Sequence, residues 1–378
     1  MIPYGRQSID ETDIAAVIDV LRSDWLTTGP KIEEFETAFA EAVGAQHAVA
    51  VNSGTAALHA AMHVHGIGPG DEVIVPANTF AASSNAVLYC GATPVFADIQ
   101  PQSLLIDPND VSAKITDRTR GVITVDFAGM PCDYNELEAI TSQHGLFLHA
   151  DACHALGASY RNRPVGSLAK TSSFSFHPVK PITTGEGGMI TTNDPHLAAK
   201  MRIFRNHGIT TDFRQRQAGN TWQYDMVELG YNYRLSDIQC ALGQSQLRRL
   251  EQFVADRTAV AEYYRNHLEH PLIEHPPMLE DRTHAYHLYP IRLRTPAEQG
   301  AVFRRCRARG VGIHVMYRPV YAHPYYRDAL HYPQDSCPQA ESAYASMIVL
   351  PVFAGMTPVQ ADEVISVLKG SLDESHSI

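Results

Sequence analysis

A chain of 378 residues is too long for one compact core, so one large and one smaller domain are expected. Its 44% hydrophobic and 19% charged content is ordinary for a globular protein and leaves no room for long disorder. A formal net charge of −11 without any Lys/Arg-rich tract argues against nucleic acid as the main partner, because phosphate backbones are bound by clustered cations. The opening MIPYGRQSIDE lacks the apolar stretch of a secretory signal, and no apolar run approaches the ~20 residues of a membrane helix. No membrane partner and a cytoplasmic location are therefore expected. The cysteines Cys90, Cys132, Cys153, Cys240, Cys306 and Cys337 contain no C-x-x-C pair, which points to buried free thiols over zinc or a disulfide framework.

Residues 1–12 read as an N-terminal arm, 13–245 as the large domain and 246–378 as the small one. Within the large domain, β-rich runs alternate with helical stretches: HAVAV (47–51), EVIVP (72–76), TPVFAD (93–98), GVITVDF (121–127), LFLHAD (146–151), SSFSF (172–176) and GMITT (188–192). Several are continuously apolar, as expected for strands covered on both faces. TAALHAAMHVHG between the first two places Leu58, Ala61 and Met62 on one helical face. The fold class is α/β with a mostly parallel sheet. From Ser236 a long helix is expected, with room for a break. AYHLYPIRL (285–293) and GIHVMY (312–317) read as strands, and PAEQGAVFRRCRARG (296–310) as a helix, of a smaller α/β domain. In open α/β sheets the site lies beyond the carboxyl ends of the strands, so the loops after those runs are the place to look.

FSFHPVKPITTGEGGM (174–189) is the most informative of these loops. Lys180 stands between Pro178 and Pro181, which stiffen the segment and force the lysine into extended geometry. An amine nucleophile needs such placement and a depressed pKa. A solvated loop lysine is the plain alternative; a Walker phosphate loop is excluded, because no G-x-x-x-x-G-K-[ST] occurs. Asp151 ends LFLHAD, where it could cap the following helix. A carboxylate on a strand end with a lysine from the next strand's loop is also the arrangement pyridoxal phosphate (PLP) requires, the carboxylate facing the pyridine nitrogen. VNSGTAALHA (51–60) opens a helix whose free amides suit a phosphate, with Thr55 adding a hydroxyl and Ser175 a further donor. Phe80, in PANTFAASS (76–84), is either a core residue or a face against a cofactor ring. His149, Asp151 and His154 also allow a different reading, as ligands of a metal-dependent hydrolase, though it leaves Lys180 without a role.

Taken together, SDWLTTGPKIEEFE (23–36), AVAVNSGTAALH (48–59), GDEVIVPANTFAAS (70–83), ADACHALGASY (150–160), FSFHPVKPITTGEGGM and ELGYNYRLSDIQCALG (228–243) resemble the DegT/DnrJ/EryC1/StrS sugar aminotransferases over nearly the whole length. The resemblance implies PLP fold type I, of the aspartate aminotransferase kind, with PLP carried by Lys180 and its pyridine nitrogen facing Asp151. It implies Thr55, Ala56 and Ser175 at the phosphate, Phe80 against the ring and His154 near its phenolic oxygen. Asn232 and Arg234 match positions that reach a neighbouring subunit's site, which implies a homodimer with shared sites. Thr27, Tyr317 and Arg318 match sugar-nucleotide contacts. Within the family, IPYGRQSID (2–10) and DFAGMPCDY (126–134) resemble especially the branch acting in pseudaminic acid biosynthesis. That branch implies L-glutamate as donor and UDP-2-acetamido-2,6-dideoxy-β-L-arabino-hexos-4-ulose as acceptor, with a sugar nucleotide of the perosamine or aminoarabinose type as alternative. Two positions depart from the family pattern: Ala150 stands for a common Glu, and Met316 for a common His.

Overall fold

The computed structural model describes residues 1–374. Nine strands belong to the first half: β1 (His47–Val51), β2 (Glu72–Pro76), β3 (Thr93–Ala97), β4 (Thr119–Val125), β5 (Phe147–Asp151), β6 (Ser159–Tyr160), β7 (Arg163–Pro164), β8 (Thr171–Ser175) and β9 (Gly188–Thr192). Seven of them form one sheet in the order β1-β9-β8-β5-β4-β2-β3. The pairs from β8 to β3 are parallel, whereas β9 runs antiparallel to both β1 and β8. β6 and β7 make a separate antiparallel hairpin.

The apolar runs have two faces to satisfy. Val73 and Val75 of β2 pack with Leu58, Ala61 and Met62 of helix Gly54–Val64 and with Ala86 and Val87 of helix Ala82–Tyr89. Ile74 faces the other way, into the cluster that holds Phe35 and Phe39 of helix Pro30–Ala42 together with Val122 and Leu148. Each such fully buried side chain contributes about 1.5–3 kcal/mol, so helices on both faces are the stable solution.

A second antiparallel sheet, β10 (Ile273–Glu274), β11 (Tyr289–Leu293) and β12 (Met347–Leu350), packs with Val302, Cys306, Val364 and Leu368 of two later helices. The break allowed for in the long helix is present, and two other details differ from the sequence expectation. The long helix is two, Asp237–Leu247 and Leu250–His267, and at the junction Arg249 ion-pairs with Asp10 and Asp13 of the N-terminal segment. GIHVMY is not a strand. Only His314 bridges Val349; beyond it the chain crosses to the loop after β2, Tyr317 N–H reaching Asn78 Oδ1 (3.3 Å) and Val320 N–H reaching Ala77 O (3.1 Å). Finally, AYHLYPIRL is a strand only from Tyr289, because Ala285 and Leu288 donate instead to Gly129 O and Ala128 O in the loop after β4. No helix of the described residues is long and apolar enough to cross a membrane.

Candidate active site

The parallel strands β2, β4 and β5 end side by side, with Val125 in register with Asp151, so the loops 77–83, 126–130 and 152–156 gather at one edge. Asp151 forms the floor. Its carboxylate is buried and accepts from Ser83 Oγ (2.7 Å) and from the amide of Cys153 (3.2 Å). Thr79 Oγ1 lies 2.7 Å from Ser83 Oγ and holds that hydroxyl in place. Among the described residues, no lysine or arginine nitrogen lies within 4.0 Å of this anion. A buried carboxylate met only by neutral donors calls for a cationic group above it.

His154 is also buried. The amide of Ala128 donates to its Nδ1 (3.3 Å), which leaves the ring proton on Nε2, 3.4 Å from the Tyr317 hydroxyl. Burial, then the nearby Lys180, holds the His154 pKa well below the usual range, so the ring is neutral. The turn that delivers the Ala128 amide requires Gly129. Its φ is +109°, and a Cβ there would stand 2.9 Å from Tyr286 N and 3.0 Å from His154 O. That close approach lets residues 285–288 slide beneath the site.

Lys180 reaches in from the opposite wall. Its amide donates to His177 O (2.9 Å), closing the turn that the prolines stiffen, and Nζ sits 3.4 Å from His287 Nε2. Burial lowers the Lys180 pKa; Arg257 pushes the same way, while Cys153 and Asp151 oppose. His287 is likewise held neutral, first by burial and then by Lys180, His154 and Arg257.

The helix expected to open after β1 runs from Gly54 to Val64. Ser53 caps helix Gly54–Val64, its Oγ accepting from Ala56 N–H (3.0 Å), so the Gly54 and Thr55 amides remain as the helix's first free donors. Ala56, expected at the phosphate, donates to the cap. A Cβ on Gly54 would meet Ser175 Cβ at 2.8 Å, which fixes Ser175 beside that helix end. A buried carboxylate met by neutral donors, a lysine whose pKa burial lowers and a helix N-terminus are groups that fit PLP.

The rim is looser. Phe80 is 61% exposed, which removes the core reading, and its ring lies 6.1 Å from that of Tyr317. Thr27 and Arg318 are exposed, Thr27 bridging Ser236. Asn232 is exposed, its carbonyl accepting from Asn52, and Arg234 donates to Asn206 Oδ1 (2.9 Å); among the described residues neither bonds to Lys180 or Asp151. His149 stands apart from His154, its Nδ1 2.7 Å from Thr171 Oγ1, and no group of three His, Cys, Asp or Glu among the described residues could hold a metal ion. Ser83, His287 and Arg257 escaped sequence reasoning. Ser83 lay inside a motif already singled out, and His287 was a lone polar residue in an apolar run; Arg257 gave no signal.

The sequence pattern described as the DegT/DnrJ/EryC1/StrS aminotransferase family matches residues 7–369. The Spore coat polysaccharide biosynthesis protein SpsC of Bacillus subtilis is 38% identical over 376 residues, covering 97% of this chain and 96% of SpsC. Spr1654 from Streptococcus pneumoniae in its PMP form superposes with a TM-score of 0.94 at 31% identity, covering 99% of this chain and 100% of that one. Its PLP form gives 0.93. Helicobacter pylori PseC, an aminotransferase involved in the biosynthesis of pseudoaminic acid, superposes with a TM-score of 0.92 at 32% identity over 99% of both chains.

Proposed function

The chain belongs to the DegT/DnrJ/EryC1/StrS aminotransferase family as a PLP-dependent sugar aminotransferase of the α/β fold, PLP fold type I, and from that premise we propose its substrates and the roles of its residues. The amino group of L-glutamate goes to C4 of a UDP-linked 4-keto-6-deoxy sugar, UDP-2-acetamido-2,6-dideoxy-β-L-arabino-hexos-4-ulose. The similarity to PseC over 99% of both chains carries the choice of sugar.

Bound PLP supplies a carbonyl carbon that takes up the amino group and a cationic ring that draws electrons from the donor carbon. The rest falls to the chain. Asp151 holds the proton at the pyridine nitrogen, kept in place by Ser83 and the Cys153 amide. Thr55, Ser175 and the helix N-terminus at Gly54 hold the phosphate; Ala56 joins them if Ser53 yields its amide. Phe80 covers one ring face, and the Nε2 proton of His154 serves the phenolic oxygen. Lys180 anchors the cofactor, then, as a free amine, removes the proton at glutamate Cα and delivers one at C4 of the sugar. Donor and acceptor use the same site in turn, with 2-oxoglutarate leaving between them.

Thr27, Tyr317 and Arg318 line the sugar-nucleotide side. Residues 13–245 are taken as the cofactor domain, 246–378 as the small domain and 1–12 as an arm. A homodimer places Asn232 and Arg234 at the partner's site; the exposed apolar run Trp222, Met226, Val227 and Leu229 beside them supports this pairing. The enzyme is placed in the cytoplasm. SpsC, at 38% identity, supports a second acceptor, a different nucleotide-linked keto sugar of the perosamine or aminoarabinose type. A panel of UDP- and GDP-linked 4-keto sugars with glutamate decides. Preferential amination of the UDP-linked acetamido sugar upholds the first reading, and preference for another sugar replaces it.

A further inference from the structure

Arg257, on helix Leu250–His267, is 2% exposed, and among the described residues no carboxylate forms an ion pair with it. A buried guanidinium without an anion is costly unless carbonyls satisfy it. Four carbonyls, from three segments far apart in sequence, meet its two terminal nitrogens, while Nε has no partner among the described residues. Nη1 donates to Val352 O (3.0 Å) after β12 and to Tyr286 O (3.4 Å) in the crossing before β11. Nη2 donates to Val179 O (3.3 Å) and to Lys180 O (3.4 Å). The arginine therefore fastens the backbone of the lysine loop to the C-terminal half of the chain, with its charge behind the lysine.

We propose that Arg257 is a positioning residue for the transfer, fixing the seat of Lys180 by holding the carbonyls of Val179 and Lys180 and setting a fixed positive charge beside that loop. This rests on the reading of Lys180 as the cofactor lysine. The groups facing Lys180 are few: Asp151 and Cys153 at the end of β5 favour its ammonium form, while His287 and His154 are neutral rings. Burial does most to lower the Lys180 pKa, and Arg257 adds to it in the same direction against Cys153 and Asp151. Arginine suits the task because its own proton stays on even where burial draws its pKa down to about 10.

The test reads Lys180 directly, in the full chain freed of cofactor. A brief pulse of acetic anhydride at a series of pH values, followed by mass spectrometry, gives the labelling midpoint of Lys180 against the exposed Lys200. Arg257→Gln is expected to raise the Lys180 midpoint. Arg257→Lys keeps a charge but cannot span four carbonyls; it should leave the midpoint near wild type and speed amide exchange in the peptide holding residues 178–181. A folded Arg257→Gln chain with an unmoved midpoint overturns the inference. If that variant does not fold, Arg257→Lys still decides, since unchanged exchange or a midpoint raised despite the retained charge contradicts it. Borohydride fixation of PLP on the wild-type chain checks the role of Lys180 separately, so failure of either idea is visible by itself.

Discussion

Asp151 and the residues 222–231 sit in opposite circumstances. Around Asp151 the polar groups are settled within one chain: Ser83 and the Cys153 amide serve the carboxylate, and the Ala128 amide serves His154. At 222–231 the chain turns apolar side chains outward, with Trp222 85% and Leu229 76% exposed. Single exposed apolar residues need no explanation, but a contiguous group does. The polar contacts of Asp151 are made within one chain, whereas the apolar group at 222–231 is left exposed, and the proposed second subunit would cover it. Damage to the floor should stop chemistry without unfolding the chain, and damage to the rim should act through association.

The largest effect is expected from Lys180→Ala. Loss of the proton-moving amine should slow 2-oxoglutarate release from glutamate by roughly 10²–10⁴-fold, followed in a stopped-flow half-reaction, with little change in the far-UV spectrum. Asp151→Asn comes next. Removing the charge at the ring nitrogen while sparing the phosphate cradle should cost on the order of 10²-fold in turnover, with PLP still retained on gel filtration. Trp222→Asp combined with Leu229→Asp sharpens the comparison from the other side. Light scattering should report monomers that still fold, with activity recovering as protein concentration rises. A variant that stays dimeric would move the interface elsewhere. Ser83→Ala, which strips one donor from a buried carboxylate, should cost about 1–3 kcal/mol, seen as weaker PLP retention.

The smallest effect concerns Asp126, just beyond β4. Burial pushes its carboxyl up to about 7, against the Cys132 amide and the Tyr134 hydroxyl that favour its anion. Its folded pKa therefore lies above the unfolded value of about 4, so the folded chain holds the extra proton in between and stability falls as pH rises from about 4 to about 7. Asp126→Asn should flatten that slope in urea titrations. An unchanged slope would show that the carboxyl does not titrate there.

Much of this was legible before any coordinates. HAVAV, EVIVP and GMITT coincide with β1, β2 and β9, because uninterrupted apolar runs between turn residues leave few alternatives. Lys180 and Asp151 were legible as candidates, but the hydrogen-bonded surroundings that hold them were not. Ser83 meets Asp151 across 68 positions and Lys180 meets His287 across 107, separations that local periodicity does not encode. GIHVMY misled for a related reason: its pattern suits a strand, but Asn78 and Ala77 draw the segment off the sheet edge. At the break in the long helix, which the sequence allowed, Arg249 pairs with two acids distant in sequence, Asp10 and Asp13.

Borohydride reduction of the PLP-loaded wild-type chain, followed by digestion and peptide mass mapping, addresses Lys180 most directly. The phosphopyridoxyl mass should sit on Lys180, in the peptide containing residues 174–189. That mass on any other lysine, or on none, would contradict the account.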